Sequence, residues 1–213
     1  MIKFFYHEKI WVHRVNSIEK LQEVKNDFFG VELDIVFLDS LNTFDVTHPP
    51  EPSIDLSLFD YMSASNSTEL HFWLDFKNLD HKNSEQSAIR LIAICDELGV
   101  SKDRVIVEST RINAVNQFKD AGFKVSYYLP WPGLHQLAND SLIGMINLIK
   151  VNVNKYQPDQ ISSNYHDYHI MKNEFPMYSK LFWLTGSETE HSNLLKERLF
   201  LYEILRDDQV SIL

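Results

Sequence analysis

Three short runs of the sequence concentrate groups that bind cations or move protons: His13-Arg14, Glu32-Leu33-Asp34 and Asp75-Phe76-Lys77. Each lies in or beside a β-rich stretch, and in a strand side chains two apart share a face. Glu32 and Asp34 therefore project together, and so do Asp75 and Lys77. Burying acids in pairs is costly unless a cation or hydrogen-bond donors compensate. Three carboxylates converging from neighbouring strands would make an oxygen cage for a hard divalent cation. The competing arrangement leaves them at solvated strand ends, paired with Arg14 and Lys77. His13 at the end of one strand and His48 in a following loop add imidazoles that exchange protons near neutral pH. His7, His71, His81, His135, His166, His169 and His191 are read as surface or packing residues.

The elements that must position these groups alternate between short β-rich runs and helical stretches. Strands are expected over 10–15, 31–38, 70–77, 104–110, 124–129, 180–185 and 209–213, with a weak one over 160–165. Ser17 is placed as the N-cap of a first helix, and a Pro-bearing loop around Pro49, Pro50 and Pro52 separates the second strand from the third. Ser84 to Leu98 is the clearest helix: Ala88, Leu91, Ile92, Cys95 and Leu98 recur at helical spacing and Gly99 stops it. Further helices are expected from Ile112 to Ala121 ahead of Gly122, from Leu134 to Lys150, and from Glu188 to Arg206.

Strands each followed by a helix or loop point to parallel pairing, in a closed (β/α)8 barrel or an open doubly wound sheet. Charges near the C-terminal ends of several strands favour the compact (β/α)8 TIM barrel, whose active sites collect at that face. At 213 residues the chain suits one domain over 1–213 with short helices and loops. Glu108, at the end of an apolar run, is either a fourth carboxylate near the cation or an arginine partner. Tyr128, Trp131, Trp183 and Asn164 are candidates for a pocket wall, the aromatics having core packing as their alternative.

Composition excludes other classes. Twenty Lys and Arg against thirty Asp and Glu give a net charge of −10, which disfavours nucleic acid and stable association with anionic membranes. The single cysteine, Cys95, forms no intramolecular disulfide or thiolate zinc site and falls among apolar helical positions. Residues 1–9 lack a signal-peptide core, and charges interrupt every apolar run before spanning length, so a cytoplasmic protein is expected.

In order, His13-Arg14, Glu32-Leu33-Asp34, His48 and Asp75-Phe76-Lys77 resemble the signature of the glycerophosphodiester phosphodiesterases, TIM barrels of the phosphatidylinositol phospholipase C-like superfamily. The run His13-Arg14-Val15-Asn16-Ser17 with Glu32-Leu33-Asp34 also resembles the related menorin group. The likeness covers residues 9–110. It implies that Glu32, Asp34 and Asp75 bind Mg²⁺ or Ca²⁺, that His13 and His48 are general acid and base, and that Arg14 and Lys77 hold phosphate oxygens. It further implies a small phosphodiester substrate attacked by water or by the substrate's own hydroxyl, and it admits phospholipase D-like action on lipid headgroups. Val15 stands where the family has Gly, Pro49 follows His48 where it has Asp, and Asp75 replaces its usual Glu. Val15 and Asp75 favour the alternative of a non-catalytic barrel that binds a phosphorylated or other anionic small ligand.

Overall fold

The computed structural model describes residues 5–65, 69–129, 133–184 and 194–213. Nine strands alternate with helices: β1 (Trp11–Val12), β2 (Gly30–Leu38), β3 (Thr43–Val46), β4 (His71–Phe76), β5 (Val105–Ser109), β6 (Lys124–Tyr128), β7 (Gln160–Asn164), β8 (Ser179–Trp183) and β9 (Val210–Ile212). Eight of them run parallel in the order β1-β2-β4-β5-β6-β7-β8-β9, and β3 pairs antiparallel with the second half of β2. The ring is drawn together where Leu213 N–H donates to Lys9 O at 2.7 Å and Trp11 N–H to Leu213 O at 3.3 Å. This is the expected compact TIM barrel. The helices are α1 (Ile18–Val24), α2 (Leu58–Ala64), α3 (Ser84–Leu98), α4 (Ile112–Asp120), α5 (Asn139–Tyr156), α6 (Tyr168–Glu174) and α7 (Leu194–Arg206).

Strand alternation sorts the buried side chains into two sets. Val31, Leu33 and Ile35 on β2, Phe72, Leu74 and Phe76 on β4, and Val105 and Val107 on β5 share one core with Leu21, Ala88, Leu91, Cys95, Val115 and Ile149 of the helices. The intervening positions face the barrel axis. Trp73, Ile106, Leu181 and Ile212 form a separate small inner cluster, joined by Trp11 and Trp183. Beside and above it, β2, β4, β5, β6 and β7 contribute Glu32, Asp34, Asp75, Glu108, Ser126 and Ser162. The polar rim is thus a direct product of period-two alternation.

Local signals place most boundaries. Ser17 caps α1, its side chain accepting from Lys20 N–H, and Gly99 ends α3 at φ +65°. Several expectations need correction. The first strand covers two residues rather than 10–15, because Arg14 turns to φ +55° and takes the chain out of the sheet. The Pro-bearing loop contains β3 and α2, which four-residue and seven-residue patterns between turn residues concealed. The helix expected from Leu134 starts at Asn139 after a short 3-10 turn and runs to Tyr156. Helix α6 was not foreseen. Trp131, Pro130, Pro132, Thr185 and positions 188–193 of the expected last helix lie outside the described residues.

Candidate active site

The C-terminal ends of β1, β2 and β4 bring the three chemical runs together. Glu32 and Asp34 are buried on β2, 2% and 1% exposed, and Asp34 stands in register with Asp75 of β4. One carboxylate oxygen from each of Glu32, Asp34 and Asp75 lies within 4.8 Å of the others. Oxygens bound to one Mg²⁺ or Ca²⁺ at 2.0–2.6 Å are separated by no more than roughly 4–5 Å, so the three carboxylates fit a shared hard cation. The all-oxygen donor set points the same way.

His13 and Arg14 sit on the turn that leaves β1, and that turn is held from both sides. Arg14 N–H donates to Glu32 Oε2 at 2.7 Å and Val15 N–H to Glu32 O at 2.8 Å. Lys20 Nζ grips His13 O at 3.0 Å and Arg14 O at 2.6 Å from the first turns of α1. The His13 Nε2 atom ends 3.4 Å from Glu32 Oε2, with its ring stacked on Trp183 at 6.3 Å and 13°. Burial lowers the His13 imidazole to about 4, outweighing the Asp34 charge that would raise it, so the ring is neutral near pH 7.

The cations are interleaved with the acids. Lys77 Nζ lies 2.7 Å from Asp34 Oδ1 and 2.5 Å from Asp75 Oδ2. Burial works against the Lys77 charge, but those two carboxylates overcome it and raise its pKa. Arg14 Nε approaches Asp34 Oδ2 at 3.9 Å while its Nη2 contacts His48 Nε2 at 2.6 Å, which draws the loop histidine to the same rim. Burial, then the charges of Asp34 and Asp75, push the Glu32 carboxyl well above its ordinary value. A bound cation would reverse that effect.

Two contributors were missed in the sequence reading. Asn16 donates to Asp34 Oδ2 at 2.6 Å and accepts from the Asp34 backbone N–H at 2.9 Å, so one side chain holds both the carboxylate and its strand position. Lys20 clamps the His13-Arg14 turn. Asn16 stands three residues after His13, just ahead of the Ser17 cap, and Lys20 lies in the first turn of α1, but only the fold reveals that both return to the rim.

The candidates for the pocket wall separate. Trp183 meets both His13 and the edge of Tyr128, at 6.2 Å and 77°. Burial, then the Asp75 and Glu108 charges, raise the Tyr128 pKa. Asn164 uses its side-chain oxygen to accept His166 N–H at 2.9 Å in its own turn. Glu108 is 2% exposed, lies outside the three-carboxylate group, and makes no arginine ion pair among the described residues. Burial and then Asp75 push its carboxyl up to about 8, with the Ser126 and Ser162 hydroxyls opposing.

Solved structures share this architecture. A glycerophosphodiester phosphodiesterase from Parabacteroides distasonis superposes with a TM-score of 0.67 at 13% identity, over 97% of this chain and 92% of its own. The two chains share one fold, the parallel TIM barrel. An Oleispira antarctica phosphodiesterase, solved with its product sn-glycerol-3-phosphate, superposes with a TM-score of 0.63 at 9% identity, over 99% of this chain and 93% of its own. No family model and no curated protein matches the sequence. The barrel places the rim of β1, β2 and β4 at the face where such folds carry chemistry. Among the described residues no helix is long and apolar enough to cross a membrane.

Proposed function

We propose that this chain is a metal-supported phosphodiester hydrolase, with a small phosphodiester as substrate. The observation that carries the reading is the meeting of Glu32, Asp34 and Asp75 within 4.8 Å, with His13, His48, Arg14 and Lys77 around them. Glu32, Asp34 and Asp75 would hold Mg²⁺ or Ca²⁺, and the ion would supply charge neutralisation for phosphate oxygens. Arg14 and Lys77 take the remaining oxygens, Arg14 as a planar fork and Lys77 as a point charge held by two acids. One imidazole of the His13 and His48 pair accepts the proton of the attacking oxygen, from water or from a substrate hydroxyl. The other gives a proton to the departing alkoxide, so the phosphorus–oxygen bond breaks without expelling a bare anion. Asn16 and Lys20 keep Asp34 and the His13-Arg14 turn in place.

The test is hydrolysis of glycerophosphoglycerol and bis(4-nitrophenyl) phosphate with Mg²⁺ or Ca²⁺ present. His13→Ala and Glu32→Ala are each expected to reduce turnover by at least about 10²-fold with an unchanged circular dichroism spectrum. Undiminished turnover in either variant contradicts the assignment. The close hold of Lys77 on Asp34 and Asp75 favours a second reading, a non-catalytic barrel that binds an anionic ligand through Lys77 and Arg14. It is distinguished by phosphate binding that is indifferent to EDTA, with no turnover of either diester.

A further inference from the structure

Barrel interiors of this architecture are ordinarily filled by layers of large branched side chains. Here the inner cluster is small, and beside it lies a cavity of about 290 Å³. Its lining is apolar and largely aromatic: Trp11, Phe28, Trp73, Trp183, Ile212 and Leu213. His13 and Glu32 form part of the same wall. The placement follows from the strands. Trp11 precedes His13 by two residues and Trp73 precedes Asp75 by two, so the tryptophans lie one layer below the rim. Gly30, two before Glu32, leaves room for the Trp11 ring: a Cβ there would fall 2.4 Å from it. The cavity also borders the seam where two-residue β1 meets three-residue β9, so short strands leave the wall thin.

We propose that this slot receives the apolar part of a phosphodiester whose alcohol carries an alkyl chain, with the phosphate at the rim above it. The inference rests on the phosphodiesterase reading and narrows its substrate class. A polyol alcohol would set its hydroxyls against a mostly apolar lining, whereas an alkyl chain matches that lining and removes apolar surface from water. The contact of Trp183 with both the slot and the His13 ring ties occupancy of the slot to the position of the imidazole.

The experiment uses a series of alkyl 4-nitrophenyl phosphates, methyl, butyl and octyl, kept below their micelle concentrations. Each methylene entering the slot contributes at most about a fourfold gain. The octyl ester is expected to exceed the methyl ester in kcat/KM by at least tenfold, with the gain in KM. Leu213→Trp, which narrows the slot, is expected to bring that ratio below threefold, and a flat ratio in the unaltered protein overturns the proposal. A binding arm separates this failure from failure of the hydrolase reading. Octyl phosphate and methyl phosphate are titrated while tryptophan emission is followed, which Trp11, Trp73 and Trp183 report. At least tenfold tighter binding of octyl phosphate, even with no diester hydrolysed, upholds the slot; equal binding overturns it.

Discussion

Asp34 receives three side chains at once: Asn16 on one oxygen, Lys77 on the other, and Arg14 at 3.9 Å. A carboxylate so held is oriented before any cation arrives, and the outer partner matters nearly as much as the ligand. Asn16→Ala is expected to weaken Mg²⁺ or Ca²⁺ affinity by about 10- to 100-fold in titration calorimetry. Undiminished affinity would remove Asn16 from the positioning role. Glu108 offers a second check in metal-free protein. Its folded pKa, about 8, stands above the usual carboxylate value because burial and Asp75 oppose ionisation. Between the unfolded and folded values the native state binds more protons than the unfolded one, so stability falls as pH rises across that window. Glu108→Gln is expected to remove that part of the decline, seen as a growing stability advantage in urea titrations from pH 5 to pH 8. A constant difference contradicts it. At this scale the sequence displayed the ligating types and their order, yet neither Asn16 nor Lys20 could be distinguished from ordinary helix-entry residues.

Elements were legible where their burial pattern was simple. The α3 periodicity and its Gly99 stop were read to the residue, because one face is buried and one exposed. Strand β7 was weak in the sequence for a physical reason: Gln160, Ser162 and Asn164 occupy its inward positions, so the apolar signal falls to Ile161. The early end of β1 and the β2–β3 hairpin depend on Arg14 and Asn42 at positive φ, a conformation that Asn adopts readily but that an arginine does not announce. Two glycines give contrasting tests. Gly99→Ala meets nothing within 4 Å and costs only left-handed strain, about 1 kcal/mol. Gly30→Ala forces the Trp11 ring aside and is expected to cost more, about 1–3 kcal/mol, in the same urea titrations. Equal costs would show that Trp11 does not lie against β2.

Across the whole molecule the division between two cores carries function. Apolar strand positions facing outward hold the helices, and the inward positions are released for acids at one end and tryptophans beneath them. The barrel class was therefore legible from charges clustered at strand ends, while the interior cavity was not, because strand register decides which tryptophans meet. The net charge of −10 acquires a local meaning: Glu32, Asp34 and Asp75 outnumber Lys77 and Arg14 at the rim, an excess that a divalent cation would offset. The most direct test is anomalous diffraction from a crystal soaked in Mn²⁺, a hard ion that takes oxygen ligands. The expected result is one peak shared by Glu32, Asp34 and Asp75, lost in Asp34→Asn crystals. No peak there at saturating Mn²⁺, with Lys77 still bridging Asp34 and Asp75, would contradict the metal-supported hydrolase.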